Sequence, residues 1–172
     1  MKETILVVGG CRSGKSSQAL HLAEQFPGNK IFIATCTPHD KEMEQRVRHH
    51  RQQRNAAWET LEIPVFLPEA VTTHSQNGNV LLVDCLTLWI NNLIMDDPNA
   101  SKIDTQITKL TRSLETSQCP VILVSNEVGC GIVPENKLAR RFRDITGFAN
   151  QKVADCVDRV IWMVAGISVK IK

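Results

Sequence analysis

No two cysteines in this chain are spaced as a CxxC pair, and no Cys/His spacing matches a zinc site. The thiols at Cys11, Cys36, Cys85, Cys119, Cys130 and Cys156 are scattered along the sequence. A secretory leader is not expected either: Ile5 to Val8 is a short apolar run ending in glycine, too short for a signal h-region. Together these absences predict reduced thiols in a cytoplasmic protein rather than a disulfide framework. No apolar run approaches the ~20 residues of a membrane span, so stable membrane insertion is not expected. Charge of one sign is also scarce. Lys and Arg number 20 against 18 Asp and Glu, a formal +2. That balance gives no reason to expect nucleic acid or a membrane surface as partner. There is no internal repeat, no low-complexity segment and no composition shift that would mark a domain boundary.

What the chain does have is 172 residues, 42% of them apolar and 22% charged. That is enough to bury a core without disulfides or metals, and it predicts one α/β domain over 1–172. Short apolar runs alternate with amphipathic stretches. Strands are expected at Ile5–Val8, Lys30–Ala34, Val80–Asp84, Val121–Val124, Val160–Val164 and Ile167–Ile171. Helices are expected at Lys15–Glu24, Glu42–Arg54, Leu86–Met95, Ile103–Glu115 and Asn136–Val157, the last with Leu138, Phe142, Ile145, Ala149 and Val153 on one side. His74–Asn79 and Asp96–Asn99 read as loops. Strands apolar on both faces and followed by helices predict a mostly parallel sheet covered on both sides.

Between the first strand and the first helix, Gly9-Gly10-Cys11-Arg12-Ser13-Gly14-Lys15-Ser16 fits G-x-x-x-x-G-K-[ST] at every fixed position. The spacing has a physical reason. The glycines let backbone N–H groups converge on phosphate oxygens. Lys15 brings a compact charge to the β- and γ-phosphates, and Ser16 offers a hydroxyl to Mg²⁺. The following helix adds its positive end. Val80–Asp84 reads as the strand beside this loop. Asp84 at its end has two readings: it holds Mg²⁺ through water, or it caps the helix from Leu86. Asn126-Glu127-Val128-Gly129 follows a strand but lacks the Lys and Asp of a guanine-reading N-K-x-D. Asn126–Pro134 is either a plain turn or a ligand loop at a switch point.

In Glu42–Arg54, helical spacing places Glu42, Arg46, His50 and Arg54 on one face. An imidazole with a guanidinium one turn away on each side suits attack on a phosphate, since the arginines neutralise the oxygens and favour the neutral ring. A solvated basic helix face is the other reading. His49 projects about 100° away and reads as a surface histidine.

Several stretches together carry a resemblance: GGCRSGKS from Gly9, Ile33-Ala34-Thr35, RVRHHRQQR from Arg46, WETLEIP from Trp58, and Asp84-Cys85-Leu86-Thr87. To these add SNEVGCGIVP from Ser125, Arg141-Phe142-Arg143-Asp144, Gly147 and Asn150-Gln151. With them the chain resembles, over essentially its whole length, the bifunctional adenosylcobinamide kinase / adenosylcobinamide-phosphate guanylyltransferase family of cobalamin biosynthesis. The resemblance implies a RecA-like P-loop NTPase that assembles as a homotrimer. It implies phosphorylation of adenosylcobinamide by ATP or GTP. It further implies transfer of GMP from GTP, through a guanylyl-histidine, to the adenosylcobinamide phosphate. The family's nucleophile precedes an Arg with a second Arg three residues on, which here is His50 before Arg51 and Arg54. Its nucleotide contacts map onto Gly9, Gly10, Cys11, Arg12, Ser13, Gly14, Lys15 and Ser16. They map also onto Thr35, Cys36 and Thr37, onto Arg51, Gln52, Gln53 and Arg54, and onto Glu62 and Asp84. Cys11 stands where relatives often carry Ala. Two rival classes make different predictions: a plain P-loop kinase leaves no α-phosphate on the protein, and a regulatory nucleotide-binding module turns nothing over.

Overall fold

The apolar runs become strands of one seven-stranded sheet. The computed structural model describes residues 2–37 and 57–172. In chain order its elements are β1 (Thr4–Gly9), α1 (Lys15–Glu24), β2 (Asn29–Ala34), β3 (Trp58–Glu62), α2 (Leu67–His74), β4 (Asn79–Asp84), α3 (Leu86–Asp96), α4 (Ala100–Thr116), β5 (Val121–Asn126), α5 (Lys137–Cys156), β6 (Arg159–Val164) and β7 (Ile167–Lys170). The strand order is β3-β2-β4-β5-β1-β6-β7, and all neighbouring strands run parallel except β6 and β7, which form an antiparallel hairpin. The expected helix Glu42–Arg54 lies outside the described residues.

Alternation along the central strands divides the core in two. Leu6, Ile31, Ile33, Leu81, Val83, Val121 and Leu123 point to a face covered by α2, α3, α4 and α5. Ile5, Val7, Phe32, Val80, Leu82, Ile122 and Val124 point to the other, where α1 packs with Ala19, Leu22 and Ala23. A sheet buried on both faces needs apolar residues at every position, which is why these strands read as unbroken runs. In α4, Ile103, Ile107, Leu110 and Leu114 recur at helical spacing and are all buried. Each such aliphatic contributes about 1.5–3 kcal/mol by leaving water. Asn99 caps α4 by accepting from the Ser101 N–H at 3.0 Å, and Asn136 caps α5 by accepting from the Ala139 N–H at 3.0 Å. In α5, Ala149 and Val153 are buried and Phe142 and Ile145 pack against the core. Leu138 is 50% exposed, one turn before α5 first meets that core.

The structure adds two elements that the apolar pattern does not announce. β3 is an edge strand in which only Trp58 is buried and Glu59 and Glu62 are exposed, so it lacks a continuous apolar run. α2 is only eight residues long and starts over Pro68. One expectation is corrected. The strand beside the phosphate loop is not Val80–Asp84: β5 lies between β4 and β1. Chain order brought Asp84 first, but β5, entered later, pairs with β1 over Val121–Asn126 and with β4 over Val121–Val124.

Candidate active site

Because β1, β2, β3, β4 and β5 are parallel, their carboxyl ends share one rim. The segment after β1 turns there into α1. Arg12 (φ 55°) and Gly14 (φ 91°) both take left-handed backbone conformations, which fold 9–16 into a tight concave loop. Gly14 serves as the N-cap of α1 with no side-chain hydrogen bond, the arrangement in which a phosphate takes the capping role. Lys15 is buried, and its ammonium donates to the carbonyl of Gly10 at 2.5 Å and to Ser13 Oγ at 3.5 Å. The charge is thus held inside the concavity by its own loop. Gly10, Cys11 and Arg12 are exposed, Ser13 is buried, and Ser16 is half-buried at the first turn of α1.

The loop is braced from two sides. Just past β5, the Glu127 N–H donates to the carbonyl of Gly9 at 3.0 Å. On the β6–β7 turn, the Gly166 N–H donates to the carbonyl of Ser13 at 3.1 Å. Ala165 (φ 50°) and Gly166 (φ 82°) make that turn tight enough to reach it.

Sheet register places the carboxylates. Glu62 is opposite Ala34, Ala34 is opposite Asp84, Asp84 is opposite Val124, and Val124 is opposite Val7. Asp84 therefore stands two strands, about 10 Å, from the line of β1, and Glu62 about 10 Å beyond Asp84. Glu62 is exposed and Asp84 half-buried. Asp84 immediately precedes α3, but the N-cap position belongs to Cys85, which makes no side-chain cap hydrogen bond. The Cys85 thiol is fully buried, and burial, reinforced by the charge of Asp84, pushes its pKa up to about 12. It is held as an inert neutral thiol.

Thr35, expected among nucleotide contacts, is fully buried at the end of β2. Its hydroxyl donates to the Cys85 carbonyl at 2.7 Å and accepts from the Cys85 N–H at 2.8 Å, and its N–H donates to the Asp84 carbonyl at 3.2 Å. In this structure Thr35 fixes the corner that carries Asp84. Asn92 of α3 ties the same corner to the end of β3, donating to the carbonyls of Thr35 at 2.8 Å and Pro64 at 3.0 Å. Cys36 is half-buried and Thr37 exposed at the end of the described stretch. His50, its neighbour His49, and Arg51, Gln52, Gln53 and Arg54 lie outside the described residues.

The loop Asn126–Pro134 is anchored. Glu127 Oε1 accepts from the Gly129 N–H at 2.9 Å, Arg143 donates to the Gly129 carbonyl at 2.6 Å, and Arg140 donates to the carbonyls of Pro134 at 3.0 Å and Glu135 at 2.5 Å. Thr87 and Asn150 stand in the sequence only within the stretches that carry the resemblance, and sequence reading gave neither a role at this rim. Short polar residues within helices carry no pattern, and their partners are distant in sequence.

Hydroxyl and carboxylate oxygens at the rim, from Ser16 and Asp84, are the hard donors that suit Mg²⁺. Among the described residues no three His, Cys, Asp or Glu side chains gather to cage a metal. A nucleotide-borne Mg²⁺ asks for less: one or two protein oxygens, with phosphates and waters completing its shell.

The chain matches the family described as cobinamide kinase / cobinamide phosphate guanyltransferase over residues 5–171. It is 41% identical over 168 residues to the bifunctional adenosylcobalamin biosynthesis protein CobP of Pseudomonas aeruginosa, covering 97% of this chain and 96% of that one. It is 41% identical over 180 residues to the bifunctional adenosylcobalamin biosynthesis protein CobU of Salmonella typhimurium, covering 98% and 99%. In fold it is similar to EscN, an ATPase of the enteropathogenic Escherichia coli type III secretion system. There the TM-score is 0.58 at 13% identity, over 98% of this chain and 47% of that one.

Proposed function

The chain belongs to the cobinamide kinase / cobinamide phosphate guanyltransferase family, and we propose that it performs both reactions as a bifunctional transferase of adenosylcobalamin biosynthesis. The observation that carries the reading is the phosphate loop with its buried Lys15, in a chain that matches the family from residue 5 to residue 171.

In the kinase step the aminopropanol hydroxyl of adenosylcobinamide attacks the γ-phosphorus of ATP or GTP. The hydroxyl proton passes to solvent, and the nucleoside diphosphate departs with the electrons of the broken P–O bond. Lys15 turns from the Gly10 carbonyl to the β- and γ-oxygens, where its charge offsets what develops on the leaving group. The N–H groups of 10–16 and the first turn of α1 orient the phosphates. Ser16 and Asp84 would hold Mg²⁺, which when bound neutralises phosphate oxygens.

In the guanylyl step an imidazole nitrogen of His50 attacks the α-phosphorus of GTP, and pyrophosphate leaves. A phosphate oxygen of adenosylcobinamide phosphate then attacks the same phosphorus. The P–N bond breaks, His50 is restored, and adenosylcobinamide-GDP is formed. Arg51 and Arg54 neutralise the oxygens between which this exchange occurs. Gln52, Gln53 and Glu62, with Cys36 and Thr37, complete the nucleotide contacts carried over from the family, while Thr35, buried with its polar groups engaged, holds the corner beneath them instead of touching nucleotide.

The whole of 1–172 acts as one catalytic domain in the cytoplasm, and no described helix is long and apolar enough to cross a membrane. We assign it a homotrimer. Supporting that reading, the edge strand β7 is exposed along its length. Trp162 pairs with Val169 and Val164 with Ile167, all four at least 40% exposed, an apolar stripe that suits a second copy of the chain.

The test is a time course with adenosylcobinamide, Mg²⁺ and ATP or GTP, followed by mass spectrometry of the corrinoid. The expected sequence is a phosphorylated corrinoid first and its GMP conjugate second, the latter only with GTP. Nucleotide consumption indifferent to corrinoid would overturn the reading.

A further inference from the structure

At the carboxyl end of β5, buried polar side chains gather where the core is otherwise apolar. Ser125 is 0% exposed, Thr87 6% and Asn150 8%. Ser125 Oγ donates to Asn150 Oδ1 at 2.6 Å and lies 3.4 Å from Thr87 Oγ1. Both outer members grip one residue, Asn126. Its N–H donates to Thr87 Oγ1 at 2.8 Å, and its carbonyl accepts from Asn150 Nδ2 at 3.2 Å. Three elements, α3, β5 and α5, are pinned to one peptide segment.

That segment joins the two halves of the site. Asn126 is opposite Gly9 in the β1–β5 register, and the next N–H, of Glu127, donates to the Gly9 carbonyl. Thr87 is three residues beyond Asp84, on the helix that the Thr35 clamp at Cys85 fixes in place. Asp84 is joined to the phosphate loop by the strand ladder through Val124 and Val7, and by a second path that runs along 84–87, across one hydrogen bond to Asn126, and across another from Glu127 to Gly9. No strand-to-strand contact joins β4 to β1 directly, since β5 intervenes.

Burying such groups is costly unless every one is paired, and a satisfied network is stiff. An apolar core at this point would pack as well without tying α3 and α5 to the rim at Asn126.

We infer that Thr87, Ser125 and Asn150 are positioning residues for phosphoryl transfer: they set the separation of Asp84 from the phosphate loop by holding Asn126 between them. The inference rests on the kinase reading of this rim. It predicts a loss in the chemical step rather than in nucleotide binding, because the loop and Lys15 stay whole while Asp84 shifts relative to them.

The test compares Thr87→Val, which keeps shape and removes the acceptor, with Thr87→Ser, which restores a hydroxyl. Ile107→Val, a methyl deletion under α4, controls for stability loss alone. For corrinoid-dependent phosphoryl transfer, Thr87→Val should lower kcat roughly tenfold to a hundredfold, with KM for nucleotide within about twofold. Thr87→Ser should recover most of kcat, and Ile107→Val should leave it unchanged. If Thr87→Val is not recovered folded, Ser125→Ala is the substitute and should show the same split. A variant with lowered Tm and kcat within about twofold of the parent overturns the inference and leaves the kinase reading intact. Absence of corrinoid-dependent turnover in the parent protein overturns both.

Discussion

Gly9 and Met163 approach so closely that no side chain fits between them. A Cβ on Gly9 would lie 2.5 Å from the Met163 carbonyl oxygen and 2.8 Å from Ser13 Oγ. The two residues are register partners of β1 and β6, so the obstructing atom is backbone and cannot rotate away. The first glycine of the phosphate loop is thus demanded by the sheet beneath it as much as by the phosphates above. Gly9→Ala should push the loop out of shape and weaken nucleotide binding on the order of tenfold or more, the equivalent of the usual strain of overpacking. Titration calorimetry with a non-hydrolysable nucleotide reads this. An unchanged dissociation constant would show that the loop does not depend on the close packing.

Lys15→Ala removes the buried ammonium that the loop stores against Gly10. The expected loss in phosphoryl transfer is about a hundredfold or more, by analogy with deleting one preorganised stabilising group. Asp84→Asn keeps the shape of the corner that Thr35 holds and removes its charge. It should raise the Mg²⁺ concentration needed for half-maximal rate and leave Tm nearly unchanged. An unaltered Mg²⁺ response would leave Asp84 with a role in the Cys85 corner only.

Much of the fold was legible because chemistry and position coincided. Lys15–Glu24 reads as a helix from its apolar spacing, and the structure gives the same bounds. The central strands announced themselves through burial on both faces. β3 did not, because an edge strand with Glu59 and Glu62 exposed imitates a loop. Spatial order was hidden for a different reason. Nothing in Val80–Asp84 or Val121–Asn126 says which lies beside β1, and the carboxylate drew the eye to the wrong one. The network at Asn126 was illegible for the same cause: Thr87 and Asn150 are 39 and 24 residues from their partner. The phosphate loop needs eight consecutive residues and is therefore readable; the rim that supports it is assembled from five elements and is not.

Thiol chemistry reports on the rim independently of turnover. Cys11 and Cys130 are exposed, whereas Cys85 and Cys119 are buried, with burial raising their thiols to about 12 and about 11. Because only the thiolate alkylates, iodoacetamide at pH 8 should modify Cys11 and Cys130 and spare Cys85 and Cys119. Mg²⁺ with nucleotide should protect Cys11, which lies in the phosphate loop, more than Cys130. Peptide mass mapping checks this, and prompt labelling of Cys85 would contradict the buried corner at Asp84.

Acid stability should carry the signature of Asp158. Its carboxylate accepts from the Thr4 N–H at 2.7 Å and the Thr4 hydroxyl at 2.8 Å. The backbone hydrogen bond, then that from the hydroxyl, hold its pKa below the ordinary 3.8, against an opposing effect of burial. A folded pKa below the unfolded one means stabilisation that is present above the unfolded value and lost as pH falls through the folded value. Asp158→Ala should therefore lower Tm at pH 7 by roughly 2–4 °C, a modest effect because solvent reaches the carboxylate. The gap between variant and parent should close below the ordinary carboxylate range. A gap that persists undiminished at acid pH would mean the charge is not what Asp158 contributes.

The central claim is that one chain carries both a phosphate loop and a histidine that takes up GMP. Incubation with GTP labelled at the α-phosphate and Mg²⁺, followed by denaturation, tests it directly. The account predicts a label on the protein that acid removes and base does not, the behaviour of a phosphoramidate. It predicts that His50→Asn abolishes the label, since the amide has no lone-pair nitrogen able to attack phosphorus. His49→Asn should retain it. Label lost in the His49 variant and kept in the His50 variant would identify the other histidine as the nucleophile. No label in the parent protein, or label surviving in both variants, would contradict the guanylyl-histidine and leave a plain kinase or direct transfer in its place.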